Sequence, residues 1–437
     1  MPRVSNPGHA APAAAAASIE RAPRERFRVL FILPFPPRAD ARHGGARAAA
    51  HIIAAHAARH EVAVLYLRLA REEEMEPALR AACSIVEEMR LPPSTGVLAR
   101  LAHRAGIAVR QARGMPYWPA SVGSAQVTSR IRRLVREWRP DVVRLECLPM
   151  GQFAGVAAER SAAVVLAAYD SFAEAAQEEL ASTHGVERAF ASLQLARWRR
   201  YERSIVRRAD AVVTFTPRDR AAYERAADGA TPVFEVALRA PFPDRALGAV
   251  GSSPPEIVFV GNFVHPPNVD AALRLVRTIA PRVWREVPEA RITIVGHEPP
   301  AELLALAGER VTVTGSVPDV EPYLARAAVV AVPLRLGGGM RVKVLEALAA
   351  GKAVVATPRA LEGLVLRDGV EARIADDADA IADAIVALLR APEERVAMGA
   401  RAREWARGAL DPARWTDEYD ALYRQLLDDG ARRADRR

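Results

Sequence analysis

Ten short apolar runs, rich in β-branched residues and bounded by charged or turn-forming positions, recur between residues 28 and 357. They are RVLFIL (28–33), EVAVLYL (61–67), DVVRLE (141–146), AVVLAA (163–168), DAVVTF (210–215), EIVFVG (256–261), RITIVG (291–296), RVTVTG (310–315), VVAVPL (329–334) and KAVVAT (352–357). Short runs of this kind suit strands buried on both faces, hence parallel sheets. Parallel strands need crossover connections, and Ala/Arg/Leu-rich segments of helical character lie between many of the runs. The pattern predicts an α/β protein with helices on both sheet faces.

The series breaks once. Residues 239–255, RAPFPDRALGAVGSSPP, carry the Pro, Gly and Ser that disfavour helix and strand interiors. A chain of 437 residues is long enough for two domains. The expected division is a flexible tail over 1–26, an α/β domain over 27–240, a linker over 241–255 and a second α/β domain over 256–410. An amphipathic helix over 411–428, with Trp415, Tyr419, Leu422, Tyr423 and Leu426 at helical spacing, and a frayed basic end over 429–437 complete it.

Charge and cysteine content exclude several function classes. The net charge of +8 comes almost wholly from arginine, since Lys343 and Lys352 are the only lysines. That spread reads as compositional bias and not as a nucleic-acid footprint. Cys83 and Cys147 form no metal or disulfide spacing, which fits a reducing, cytoplasmic compartment. No run of about 18 apolar residues suggests a spanning helix, and the small-residue start lacks a secretory pattern.

The segment VVAVPLRLGGGMRVKVLEALAAGKAVVAT (329–357) carries the most chemistry. It reads strand, glycine loop, helix, Gly351 stop, next strand. Gly337, Gly338 and Gly339 remove side chains where a helix begins, so backbone N–H groups there can approach an anion. Arg341 and Lys343 place two cations in the first turn, an unfavourable position unless an anion sits there. A diphosphate resolves the conflict, with Arg341 forked on its oxygens and Lys343 as a point charge. Glu346, beside the buried stripe of Val342, Leu345, Leu348 and Ala349, is placed to accept hydrogen bonds from ribose hydroxyls. The plain reading is a glycine loop with a solvated Lys343–Glu346 pair.

At these residues the sequence resembles glycosyltransferase family 4, the retaining nucleotide-sugar transferases of GT-B fold. The resemblance covers most of 27–427 and fits a subgroup with a glycine-rich loop, Arg-x-Lys and a single Glu. It implies two Rossmann-like domains facing across a cleft, with the last helix crossing back to the N-terminal domain. It implies a nucleoside-diphosphate-sugar donor held by the C-terminal domain, no metal or other cofactor, and a glycan or lipid-linked acceptor. Glu346 matches the second Glu of the family's pair, and the first falls on Gly338. The Arg and Lys that many members carry after the first strand of the donor domain fall on Asn262 and Pro267.

Carried over residue by residue, the expected catalytic groups are Arg341, Lys343 and Tyr169, which stands where members often have His. The expected donor contacts are Gly44, Gly45, Asn262, Gly315, Ser316, Val317, Gly338, Gly339, Met340, Glu346, Glu362 and Gly363. Two other readings share the fold: a degenerate, non-catalytic partner subunit, motivated by Gly338, Asn262, Pro267 and Tyr169, and a nucleotide-sugar epimerase.

Residues 100–144 hold ten arginines against Glu137 and Asp141, together with the aromatic turn MPYWP (115–119). This composition suits peripheral contact with the anionic inner membrane face or a phosphorylated acceptor. Solvated helix faces in an arginine-rich chain are the other reading.

Overall fold

The computed structural model describes residues 26–435 apart from 42–43, 70–71, 92–95, 160–161, 239–245, 249 and 340. Residues 1–25 of the tail expected over 1–26, most of the linker's Pro-rich half and Met340 therefore lie outside the described residues.

Two parallel sheets form the frame. The first contains β1 (Arg28–Leu33), β2 (Glu61–Leu69), β3 (Ile85–Leu91), β4 (Val142–Glu146), β5 (Ala163–Ala167), β6 (Ala211–Thr214) and β7 (Val233–Glu235), in the order β3-β2-β1-β4-β5-β6-β7. The second contains β8 (Glu256–Val260), β9 (Arg291–Val295), β10 (Val311–Val313), β11 (Ala327–Val332), β12 (Val354–Ala356) and β13 (Arg373–Ile374), in the order β10-β9-β8-β11-β12-β13. Every named strand pair is parallel. Both sheets are doubly wound, and strand order reverses between β1 and β4 and between β8 and β11. Ligands of such sheets bind at the carboxyl ends of the strands beside that reversal.

Each of the ten sequence runs contains a strand. The central strands β1, β4, β5, β6 and β11 are buried on both faces, which is why their sequences are continuous apolar runs and not alternating ones.

The last helix, Pro412–Asp435, packs against the N-terminal domain. Trp415, Tyr419, Leu422, Tyr423 and Leu426 are buried. Asp420 meets His60 at 2.8 Å, and the Tyr423 hydroxyl lies 2.9 Å from His56 Nε2. The expected frayed end from 429 is corrected: the helix runs on to Asp435. Asp428 and Asp429 precede Arg432 and Arg433 by four positions, a spacing that favours continued helix over the single glycine at 430.

Candidate active site

A cavity of about 1320 Å³ opens between the domains, lined from both. That exceeds the roughly 300–1,000 Å³ of an ordinary small-molecule pocket and leaves room for two substrates. Its walls are loops at the carboxyl ends of strands: Gly44, Gly45 and Arg47 after β1, Tyr169 and Asp170 after β5, and Asn262 to Asn268 after β8. Ser316 and Val317 after β10, and Gly337, Gly338, Gly339, Arg341, Lys343 and Glu346 after β11, complete the donor-domain side among the described residues.

The glycine loop needs its glycines. Gly337 and Gly339 adopt φ of 91° and 78°, and a Cβ on Gly339 would stand 2.9 Å from the carbonyl oxygen of Tyr169. A Cβ on Gly338 would stand 3.3 Å from Asp219 Oδ1. A glutamate at 338, as in the family pattern, would thus begin beside another carboxylate.

The loop is also laced to the opposite domain. Gly337 N donates to Glu178 Oε2 at 2.9 Å, Gly339 N donates to Asp219 Oδ2 at 3.3 Å, and Arg218 donates to the Gly337 carbonyl at 3.2 Å. The expectation that the loop amides wait for a phosphate is corrected at these two positions, where carboxylates already hold them.

Helix Val342–Ala349 follows, with Arg341 at its N-cap. The Arg341 guanidinium does not fork into the cavity as expected. It turns back on its own loop, donating to the carbonyls of Gly338 (2.7 Å) and Gly337 (3.0 Å), and its buried Nε has no partner among the described residues. Lys343 donates to Asn268 Oδ1 at 2.6 Å, with its ammonium 4.7 Å from the centre of the Phe259 ring. Burial, and then the neighbouring charges of Arg341 and Arg47, push its pKa down to about 7.

Glu346 does not pair with Lys343. Its carboxylate meets Arg47 at 3.1 Å, across the cleft. Arg47 sits one turn into the helix Gly44–Ala57, which the paired glycines open. Its Nε is buried without a partner among the described residues. Gly44 abuts the other domain, since a Cβ there would stand 3.2 Å from Val342 Cγ2.

The remaining expected contacts divide. Asn262 lines the cavity, its carbonyl accepting from Asn268 at 2.7 Å. Ser316 Oγ lies 2.6 Å from His297 Nδ1, and Gly315, at φ 70°, makes the turn before it. Glu362 and Gly363 stand off the described cavity wall. Glu362 sits behind Arg341 at 4.0 Å and Gly363 packs near Pro217.

Tyr169 lines the cavity, but its hydroxyl donates to buried Glu146 at 2.8 Å, so the phenol is engaged inside the domain and not offered to a sugar. Asp170 beside it faces the cavity, with its pKa pushed up to about 7 by burial and by Asp219. Ser171 caps the following helix Phe172–Ser182, its hydroxyl accepting from Glu174 N. Thr216 caps the helix Pro217–Ala227, its hydroxyl accepting from Asp219 N and donating to the Asp219 carboxylate at 2.6 Å.

Sequence reasoning passed over Arg47, Asn268, Asp170 and Glu178. The available signal for Arg47 was its place one turn after Gly44–Gly45, the N-domain counterpart of Arg341 after its own glycines. The arginines of 100–144 are less available than their number suggests. Arg130 and Arg133 pair with Glu87, Arg132 and Arg136 pair with Glu159, and Arg144 is fully buried against Glu146.

Comparison with known proteins decides the family. The family described as glycosyl transferases group 1 matches residues 254–391, and the glycosyl transferase 4-like domain matches residues 43–238. This chain is a family 4 glycosyltransferase. It is 31% identical over 268 residues to a GDP-mannose-dependent α-(1-6)-phosphatidylinositol monomannoside mannosyltransferase of Mycolicibacterium smegmatis, covering 55% of this chain and 67% of that one. Against a phosphatidyl-myo-inositol mannosyltransferase of the same organism it is 33% identical, over 34% of this chain and 39% of the relative.

The structural matches extend across the molecule. Sucrose-phosphate synthase of Thermosynechococcus elongatus superposes with a TM-score of 0.67 at 16% identity, over 92% of this glycosyltransferase and 100% of that chain. Anabaena HepE in complex with UDP and glucose gives 0.59 at 13% identity, over 91% and 99%. These likenesses establish the two-domain GT-B fold. No helix among the described residues is long and apolar enough to cross a membrane.

Proposed function

We propose that this nucleotide-sugar glycosyltransferase moves a hexose, with retention, from a nucleoside-diphosphate sugar to a hydroxyl of a glycan or lipid-linked acceptor. GDP-mannose, the donor in the first relative's name, is the first donor to test. One observation carries the reading. Arg47, Arg341 and Lys343 converge on the start of one cavity-lining helix, two of them with a buried N–H lacking an acceptor among the described residues and the third with a weakened ammonium. A fixed diphosphate supplies what this cluster lacks, and the cluster stabilises charge as the diphosphate leaves. Arg47 also brings a guanidinium to a site whose usual cations are replaced by Asn262 and Pro267.

The pH dependence follows with a definite sign. A bound diphosphate favours charged Lys343, raising its pKa above the value near 7 in the empty protein. Donor binding above pH 7 therefore takes up protons. Affinity is highest below pH 7 and falls, by at most about tenfold per pH unit, until the pKa of the complex is reached. A nucleotide sugar is the right probe because the charge on its diphosphate, one per phosphate, does not change through this range. Calorimetry of GDP-mannose in buffers of different ionisation enthalpy measures the uptake. Affinity constant from pH 6 to 9 would remove Lys343 from the site.

The same cluster makes a metal unnecessary for charge neutralisation. No three metal-ligating side chains converge among the described residues. Transfer is expected to proceed unchanged in excess EDTA, and full loss restored by magnesium would reject this part of the proposal. Where the acceptor is lipid-linked, the surface for membrane contact is helix Val97–Ala112, whose Leu101 and Val109 lie exposed beside Arg100 and Arg104.

A further inference from the structure

The cavity has a second wall that the donor does not explain. Trp118, Phe172 and Trp198 line it from the N-terminal domain. Their rings form a continuous run: Trp118 and Phe172 lie 5.4 Å apart between centroids, and Phe172 and Trp198 stack at 4.6 Å. The expected exposed aromatic turn at 115–119 is thus half true: Tyr117 is exposed, while Trp118 turns to the cavity. The indole N–H groups of Trp118 and Trp198 and the carboxamide of Gln194, which also lines this wall, have no hydrogen-bond partner among the described residues.

Charge distinguishes this wall from the donor cluster. Among the described residues, the arginines and lysine that line the cavity, Arg47, Arg341 and Lys343, all belong to that cluster. The charged lining groups on the helix that starts at Phe172, and just before it, are the carboxylates Asp170, Glu178 and Glu179, with Glu178 also holding Gly337 N of the donor loop. The guanidinium groups behind them are committed: Arg218 holds Glu178 at 2.6 Å and Arg359 holds it at 3.0 Å.

We propose that this wall is the acceptor subsite and that it binds an uncharged sugar ring, a glycan or the outer sugar of a lipid-linked glycan, and not a phosphorylated head group. The proposal rests on the donor assignment above for the direction of transfer. A pyranose has an apolar C–H face that packs on an aromatic face, and a rim of hydroxyls that pair with indole N–H, carboxamide and carboxylate groups. A phosphate here would lose its water beside carboxylates, with no uncommitted arginine or lysine among the described residues of this wall to receive it. Of the mycobacterial relatives' names, one prints a phosphatidylinositol monomannoside, which carries an outer sugar of this kind, and the other phosphatidyl-myo-inositol, a phosphorylated head group.

The test uses the full chain, with and without saturating GDP, and intrinsic tryptophan fluorescence as the readout. The neutral probes are α-1,6-mannotriose and maltotriose, and the anionic probe is glycerophosphoinositol. At least one neutral saccharide should give a saturable change, and glycerophosphoinositol none. Trp198→Leu should weaken saccharide binding by about tenfold or more. Gln194→Ala, which disturbs no core packing, should weaken it in the same direction, and Glu179→Arg should admit glycerophosphoinositol. Tighter binding of glycerophosphoinositol than of either saccharide by the unaltered protein overturns the proposal. So does a flat response to both saccharides, or unchanged affinity in Gln194→Ala. GDP binding, read separately by calorimetry, tests the donor end: its failure sinks the donor assignment, while the saccharide titration without nucleotide still reads this wall.

Discussion

Replacing Lys343 by methionine should lower kcat/KM for sugar transfer by a factor of about 10²–10³, or about 3–4 kcal/mol of transition-state stabilisation, the scale of one preorganised electrostatic donor. The same change should raise the melting temperature of the empty protein. In the folded chain the Lys343 pKa is near 7 against an ordinary 10.5, because the ammonium is buried beside Arg341 and Arg47. Between those two values the unfolded chain binds more protons than the folded one, so stability of the empty protein rises with pH across this window. Below pH 7 the full unfavourable cost of holding the charge is present. Methionine fills the same space over the Phe259 ring and removes both the cost and this share of the pH dependence. A lysine that merely braced the loop through Asn268 would show the opposite, with lower stability and modest kinetic change. Assays of transfer and melting at pH 6.5 and 9 separate the two, and near-normal turnover in Lys343→Met would sink the charge-cluster assignment.

What the sequence disclosed follows from where each group gets its partner. The strands read directly are those whose sequence is apolar from end to end. The three strands missed, β3, β7 and β13, all sit at a sheet edge: IVEEMRL is interrupted by Glu87, Glu88 and Arg90, while VFE and RI are too short to register as runs. Edge strands are blunted in this way against pairing with other chains, and the same device hides them from a hydrophobicity pattern.

The site divides similarly. The glycine loop, Arg341, Lys343 and Glu346 form one local segment, so their proximity was legible. Their partners were not. Glu346 finds Arg47 at a separation of 299 positions, and Gly337 finds Glu178 at 159. A local rule pairs Lys343 with Glu346 three positions on, but the cleft offers each a better partner, Asn268 and Arg47. The loop carbonyls, too, hold the Arg341 guanidinium at the cavity's edge, since a buried guanidinium takes the nearest acceptors, here the carbonyls of Gly338 and of Gly337, which Arg218 shares.

A further group hidden in a strand gives the largest expected effect on stability. DVVRLE reads as a buried strand, yet Arg144 and Glu146 are two apart, on the same face, and both are fully buried. Arg144 donates to Glu146 at 2.6 Å, to Tyr423 at 3.0 Å and to Tyr419 at 3.4 Å, with its guanidinium 4.3 Å from the centre of the Tyr419 ring. Glu146 in turn accepts from Tyr169 at the cavity wall. The pair therefore fastens the last helix to the first sheet and fixes the cleft side chain that follows β5. Glu146→Leu strands the Arg144 charge in the core and should destabilise the N-terminal domain by about 3–5 kcal/mol, on the order of 10 °C in its melting transition. Removing both charges in Arg144→Met with Glu146→Leu should recover most of that loss, because a buried pair and well-packed apolar replacements differ little in net stability. The double variant should still lose activity relative to the unaltered protein, since Tyr169 keeps no acceptor for its hydroxyl. Thermal unfolding of the single and double variants reads the coupling directly. A single variant as stable as the unaltered protein, or a double variant that loses as much as the sum of both single changes, would show that the pair does not fasten the helix.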